Sequence, residues 1–595
     1  MGSLHHLAVV NMTLKENLNI ILDGTPRRRL VMVLIGTLIA GLLEILGIGT
    51  TPAFVGVLID PDWVLSVLPG RLGANWMHQT TRSDLLLWGA TLLCGIFLFK
   101  NLYVVVLMYG ETYFAQHLAA SISNRLFCAY MKSPYQFHLQ RNPAEFIRLV
   151  TEEAFYAMHF VRAGLRLIRE GVVLALVLLL MVVVEPLATG AVFLLLALLS
   201  GIFYSAARRV LTSHGQRWVR HWTRRLQVVT QSFGAIKDAK ILGREPHFMA
   251  VFRSVTDRLQ HHETFHEIAG AVPRYFLETL AVASVVPIAV TFILLDKPLN
   301  GLLPLLALWG IALVRILPAM TTINSSLVEI RYRRPALDGV CAELKAVEIP
   351  VVLPVQNQVL RPKGRPMRET LTVENVHYVY PGATGEALKG VSLTIQPATT
   401  VGFIGASGAG KSTLIDIILG LLNPTVGRVL VDGVDIHNDL LAWQRQVGYV
   451  PQNFYLIDDS IRRNIAFGIP DDKIDDLAVA RAVQAVQIES FVNSLPEGLE
   501  TAVGHEGLRL SGGQRQRIAI ARALYHDPSV LVMDEATNAL DDETESDLME
   551  AVRALPKEKT IIIVAHRPST VDGCDQLIRL QAGRIVREFR MAIAR

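Results

Sequence analysis

Cysteine is almost missing. The 595 residues hold four, Cys94, Cys128, Cys341 and Cys574, far apart and with no CxxC pair, which excludes a disulfide framework and a cysteine-based zinc site. Charge is scarce as well: 18% of residues are charged against 51% hydrophobic, and the mean hydropathy is +0.37. That balance excludes a disordered chain and argues against one lying wholly in water. Basic residues exceed acidic ones by only 4 charges, too few over this length to make nucleic acid the partner. A cleavable signal is not expected, because the first long apolar run begins only after Arg27, Arg28 and Arg29 and is too long for a signal core.

What is abundant is apolar runs close to the ~20 residues that cross ~30 Å of hydrocarbon as helix. Six are expected: Leu30 to Phe54, Leu85 to Tyr109, Leu165 to Val184, Leu187 to Ala207, Tyr275 to Leu295 and Leu302 to Met320. Glu185 and Pro186 leave a short turn between the third and fourth, while long polar stretches separate the second from the third and the fourth from the fifth. The segment after Arg208 carries Arg209, Arg217, Arg220, Arg224, Arg225, Lys237, Lys240 and Arg244, whereas the short turns carry almost no cations, so the long arms and both termini are expected on the cytoplasmic side. Leu4 to Leu22 reads as an amphipathic helix along the inner membrane surface, and Asp60 to Leu68 as an outer one or an irregular loop. A transmembrane domain over 1–345 is followed by a proline-rich linker over 346–368 and a soluble α/β domain over 369–595, in which strand alternates with helix.

The chemistry lies in that last domain. Gly405, Ser407, Gly408, Gly410, Lys411, Ser412 and Thr413 belong to a G-x-x-x-x-G-K-S-T loop after an expected strand, Thr400 to Ile404, and before an expected helix. Glycines let backbone N–H groups close around phosphate oxygens, Lys411 reaches the terminal phosphates, and the Ser412 hydroxyl suits Mg²⁺. Asp534 and Glu535 follow the apolar strand Val530 to Met533 at its carboxyl edge, where ligands of parallel sheets sit. Asp534 would serve the metal, and Glu535 would orient or deprotonate the attacking water.

Leu510-Ser511-Gly512-Gly513-Gln514 then makes the resemblance specific: it is the signature of ABC-type ATPases, and the chain is similar to a half-transporter of the exporter type throughout. The fold so implied is a membrane bundle of six transmembrane helices fused to an α/β P-loop ATPase domain, acting as an ATP hydrolase coupled to transport. By that resemblance Tyr380 stacks on adenine, Gln452 is the Q-loop residue, Asp541 the D-loop residue and His566 the switch histidine. Lys411 and His566 hold the γ-phosphate; Ser412, Gln452 and Asp534 surround Mg²⁺; Glu535 is the base. Ser511, Gly513 and Gln514 serve the ATP bound to a second subunit, a homodimer partner or a different half-transporter. His505 and Asn538 depart from the usual residues. Short helices near Arg141 to Phe146 and Phe233 to Lys240 are implied to dock on the ATPase.

Beyond the general family, the Glu44 region, Tyr135 to Glu153, Ala271 to Glu278 and Leu313 to Asp338 resemble the bacterial flippases of lipid-linked oligosaccharides used in protein N-glycosylation. Matching positions carry Lys100, Arg274 and Arg315 as candidate cavity cations for an anionic, lipid-linked substrate. A cation inside a span costs ~2.5–3.5 kcal/mol on insertion scales, so Arg315 faces substrate, water or an internal partner such as Glu44 or Glu278. Lys100 can snorkel. His261, His262 and His266 read as a solvated helix face. The expected function is ATP-driven flipping of a lipid-linked oligosaccharide or similar anionic amphiphile across a bacterial inner membrane. The alternatives are export of lipid, peptide or drug, and an ATP-gated channel or regulatory subunit.

Overall fold

The computed structural model describes residues 13–23, 27–59, 82–184, 186–294, 299–347, 367–536, 542–556, 558–565 and 567–590. The expected outer-surface segment, most of the linker, Asn538, Asp541 and His566 lie outside these residues. The chain divides into two compact units, Met1–Ser133 with Gln140–Leu353, and Pro134–Leu139 with Pro354–Arg595.

The first unit is helical. After α1 (Leu14–Leu22) come α2 (Arg27–Ile59), α3 (Arg82–Lys132), the short α4 (Tyr135–Leu139, grouped with the second unit) and α5 (Pro143–Arg148). A π-helical turn, Leu149–Glu153, leads to α6 (Ala154–Val184), α7 (Pro186–Gly234), the short α8 (Ile236–Ile241), α9 (Glu245–Leu294) and α10 (Leu299–Val347). Pro186 opens α7, where its missing N–H costs nothing. Among the described residues, Arg27–Thr51 and Leu86–Lys132 are apolar and long enough to cross a membrane.

Sequence reading separated spans from arms; the structure joins them. α3, with 51 residues, and α7, α9 and α10, with 49 to 50, each rise about 75 Å at 1.5 Å per residue, well beyond one bilayer core. The polar arm simply continues the helix. Arm packing is close: a Cβ on Gly215 of α7 would lie 2.2 Å from the Tyr332 carbonyl oxygen of α10. Beside it Trp218, Leu259 and Tyr332 are buried, with the Arg333 guanidinium 4.3 Å from the Tyr156 ring centre.

α1 also differs from expectation. Thr13 and Glu16 form a capping box, but Asn17 and Ile21 are buried, Asn17 donates to Asp338 of α10 at 2.6 Å, and Arg125 of α3 donates to the Ile20 carbonyl at 2.8 Å. These ties hold its described part against the arms. The segment expected near 141–146 corresponds to α5 and that near 233–240 to the end of α7 with α8, all within the first unit, whereas α4, just upstream, belongs to the second.

Of the three α9 histidines expected on a solvated face, His261 is exposed and the other two are not. His262 and His266 are buried; His262 Nδ1 lies 3.0 Å from His214 Nδ1 of α7, with the His221 ring 5.4 Å away, and His266 Nε2 is 2.7 Å from Glu329 of α10. The sequence spacing showed only one helix; the partners come from two others. Burial, then the neighbouring His214, His221 and His261, pull the His262 pKa down to about 4. Burial works to raise Glu329, yet the hydrogen bonds from His266 and Arg333 hold it down at about 2. An unfolded imidazole takes its proton near pH 6.5. The unfolded chain therefore binds more protons than the folded one between about pH 6.5 and 4, and stability drains as pH falls through that window, above the range where Glu329 titrates. Thermal unfolding of the helical unit is expected at lower temperature at pH 5 than at pH 7, with a smaller drop in His262→Gln; equal drops in both proteins would refute the assignment.

The second unit has two sheets. β1 (Leu371–Tyr378), β2 (Leu388–Ile395), β4 (Val426–Val431) and β5 (Val434–Asp435) form an antiparallel sheet in the order β2-β1-β4-β5. β3 (Thr400–Ile404), β6 (Val447–Val450), β7 (Val530–Asp534), β8 (Thr560–Val564), β9 (Gln576–Gln581) and β10 (Arg584–Arg590) form the other in the order β10-β9-β3-β8-β7-β6, parallel except for β10. β7 and β8 are buried along their whole length, which is why they read as unbroken apolar runs. α11 (Lys411–Ile418) follows β3, and α12 (Gly512–Leu524) precedes β7.

Candidate functional site

The turn from β3 into α11 forms the glycine loop. Gly410, with φ 100°, is the helix N-cap, and a Cβ there would meet the Ala387 carbonyl at 2.9 Å; one on Gly405 would come within 2.3 Å of the Leu580 carbonyl. Backbone can close this tightly only without side chains. The loop bounds a cavity of about 360 Å³ lined by Ser407, Gly408, Gly410, Lys411, Ser412 and Thr413 with Tyr380, Gln452 and Glu535. The Tyr380 hydroxyl lies 3.0 Å from Thr413 Oγ1, and its ring meets Tyr378 edge-on at 4.9 Å, so the aromatic is held beside the loop.

Lys411 Nζ donates to the loop carbonyls of Gly405 at 2.8 Å and Ala406 at 3.3 Å. Burial lowers its pKa, and Glu535 and Asp534 oppose that by favouring the charged form. Asp534 ends β7 opposite Val564, and the Glu535 N–H continues the ladder to the Val564 carbonyl at 3.0 Å. Glu535 then takes φ 47°, an uncommon backbone for a non-glycine residue, and the turn brings Glu535 Oε2 to 2.6 Å from Gln452 Nε2. With its amide nitrogen committed there, Gln452 has its amide oxygen left for a metal. Ser412 hydroxyl, Gln452 amide and Asp534 carboxylate form an all-oxygen donor set, the chemistry that suits Mg²⁺.

Two groups here were missed by sequence reading. Burial, then the charge of Asp534, raises the Asp416 pKa to about 6. The pKa of Tyr135 of α4 is raised by burial, then by Asp416 and Tyr380. Asp416 follows the loop motif rather than belonging to it, and Tyr135 lies far upstream, so no local pattern marks either.

Ser511, Gly513 and Gln514 do not line this cavity. They open α12 instead: the Ser511 hydroxyl accepts from the Gln514 N–H at 3.2 Å, and Gln514 Oε1 accepts from the Ser511 N–H at 2.9 Å. Ser511 is exposed, so the positive end of a 13-residue helix faces outward.

Of the three candidate cavity cations, Lys100 and Arg315 meet at one carboxylate and Arg274 stands apart. Lys100 is 7% exposed; rather than snorkelling, its Nζ lies 3.2 Å from Glu44 Oε1. Arg315 Nε is 3.2 Å from the same oxygen, and its Nη2 is 3.3 Å from Glu170 Oε2. Of the alternatives for Arg315, the internal ion pair is the one observed, with Glu44 and Glu170 as partners. Glu278 takes Arg274 at 2.8 Å on an exposed stretch of α9. A charge buried among apolar helices without a counter-charge would cost several kcal/mol, and the folded chain supplies one.

A family model described as "ABC transporter" matches residues 388–538. The chain is 29% identical to an ATP-dependent lipid A-core flippase of Cupriavidus metallidurans over 555 residues, covering 92% of this chain and 90% of the relative. A protein of the same name from Saccharophagus degradans is 30% identical over 475 residues, 79% of this chain and 78% of the relative. Among solved structures, a bacterial Atm1-family ABC exporter with ATP bound superimposes with a TM-score of 0.75 over 96% of both chains at 23% identity, a likeness of fold.

Proposed function

The chain belongs to the ABC transporter family as an exporter half-transporter that couples ATP hydrolysis to transport, and from that premise we propose that it flips a lipid-linked oligosaccharide or a similar anionic amphiphile across the bacterial inner membrane. The relatives named lipid A-core flippases support a saccharide-bearing lipid as cargo. The observation that carries the anionic part is Arg315: among the apolar helices it keeps 28% of its side chain exposed, against 9% for Lys100. A polar head group crossing bare hydrocarbon loses its hydrogen bonds to water without replacement, and a guanidinium facing a wet cavity restores some of them.

In the ATPase unit, the loop N–H groups and Lys411 bind the phosphates, Tyr380 the base, and Glu535, aimed by Gln452, takes the proton of the attacking water. His566 and Asp541 join by family resemblance. Ser412, Gln452 and Asp534 hold Mg²⁺, which neutralises charge on the phosphates when bound. Ser511, Gly513 and Gln514, absent from their own chain's cavity, complete the site of a second copy. By resemblance the short helix near 233–240 docks on an ATPase unit, and Phe233, Ile241 and Leu242 around it are exposed. The assembly proposed is a homodimer with two ATP, a different half-transporter being the alternative partner.

The test is flipping in reconstituted vesicles. Arg315→Ala is expected to slow movement of a pyrophosphate-linked glycolipid about tenfold or more relative to an uncharged lipid in the same vesicles, the size of a lost charged hydrogen bond. Equal loss for both lipids, or none, would remove the anionic cargo from the reading.

A further inference from the structure

Six charges of the helical unit form one chain of alternating sign among the described residues. Lys100 of α3 meets Glu44 of α2, Glu44 meets Arg315 of α10, and Arg315 meets Glu170 of α6 at 3.3 Å. Glu170 then meets Arg169 at 3.2 Å, and Arg169 meets Glu111 at 2.5 Å. Three carboxylates face three cations, so these six sum to zero. The chain of charges opens at one place. Glu44, Lys100 and Glu170 keep 8 to 9% of their side chains exposed, and Arg315 keeps 28%.

Both contacts of Arg315 are loose. Charge-assisted N–H···O bonds run about 2.7–2.9 Å. Here the Nη2 contact is 3.3 Å, and the buried Nε, although 3.2 Å from Glu44 Oε1, has no hydrogen-bond acceptor among the described residues. A planar guanidinium pairs best with two oxygens of one anion. Glu44 spends a single oxygen on both cations, so it offers Arg315 a misaligned half of that geometry.

We propose that Glu44 is a built-in counter-anion for which the cargo's phosphate group substitutes at Arg315, making Glu44 a specificity-determining residue for the charge of the cargo. This rests on the flippase reading above. When a phosphate oxygen pair takes the Nε and Nη2 edge of Arg315, Glu44 keeps Lys100 and Glu170 keeps Arg169, so neither carboxylate is left buried with an uncompensated charge and the exchange is cheap. A neutral head group can at most accept a hydrogen bond from the Nε; it brings no charge to replace that of the carboxylate and so cannot drive the exchange. Charge selection is thus set by competition with an internal carboxylate rather than by attraction to an unpaired cation.

Glu44→Gln removes the competitor. With full-length protein in phosphatidylcholine nanodiscs, ATPase stimulation is titrated with a pyrophosphate-linked glycolipid and with the same glycolipid lacking phosphate. The half-saturating concentration of the phosphorylated lipid is expected to fall about tenfold in Glu44→Gln, with that of the phosphate-free lipid unmoved. Glu44→Asp should stay close to the parent. Because Glu44→Gln strips Lys100 of its carboxylate, the pair Glu44→Gln/Lys100→Met repeats the measurement without that buried charge. A merely structural role would weaken the response to both lipids. A parent protein that responds to the phosphorylated lipid, with both variants unchanged or weaker, overturns this inference alone; a parent that ignores the lipid overturns the cargo reading and the inference together.

Discussion

Glu535→Gln is expected to lower ATP turnover by about 10²–10⁴-fold, the usual worth of a positioned general base, while leaving ATP binding near that of the parent. The substitution keeps shape and hydrogen-bonding reach, so the 2.6 Å link to Gln452 can be remade by an amide rotation and the strained φ of 47° is retained. What disappears is the ability to accept a proton. On the proposed reading the phosphate grip comes from elsewhere, from the loop N–H groups and Lys411. Lys411 now spends its donors on the Gly405 and Ala406 carbonyls, and turning them to a phosphate exchanges one set of hydrogen bonds for another at little net cost. Phosphate release and filter binding on the same preparation check both halves. Undiminished release would assign the base elsewhere; lost binding would make Glu535 part of the grip instead.

The reasons that this site is legible in sequence are local. A glycine loop must be contiguous to wrap a phosphate, and the Asp534-Glu535 pair sits where one buried strand ends, so a few adjacent letters carry each. The Gln452–Glu535 contact joins residues far apart in the chain, and the resemblance, not the spacing, brought Gln452 into view. Charges in the membrane unit were read less well for the same reason. Arg315 is visible as a cation in an apolar run and Glu44 as one candidate partner, but that Glu170 rather than Glu278 joins it depends on how α2, α6 and α10 lie side by side. Likewise His262 reads as surface on its own helix and is buried because His214 and His221 arrive on another. Helix ends were misjudged because hydropathy marks where lipid stops, and α3 runs on regardless.

The second large effect separates one chain from two. Lys411→Ala is expected to abolish turnover by removing the phosphate cation, and Ser511→Arg by placing a bulky cation at the exposed start of α12, whose residues do not line their own chain's cavity. Each homodimer then has two broken sites. In a dimer of one chain of each kind, one site combines the damaged loop with the damaged helix start, and the other combines an intact loop with an intact helix start. If each site is built across the two-fold axis and each turns over by itself, mixing the two dead proteins before reassembly restores about a quarter of the parent activity: half the dimers are mixed, and half of their sites are whole. If a site were built within one chain, every site in every mixture would carry one lesion, and activity would stay at zero. Recovery that appears only after subunit exchange, measured as phosphate release against mixing ratio and peaking at equal amounts, therefore reports the shared site directly. Should both sites have to fire together, mixtures again stay silent; a covalently joined dimer with a single lesion, in either the loop or the helix start, then distinguishes the cases. It leaves one of two sites whole in the shared arrangement and stays inactive only if the sites are obligately coupled.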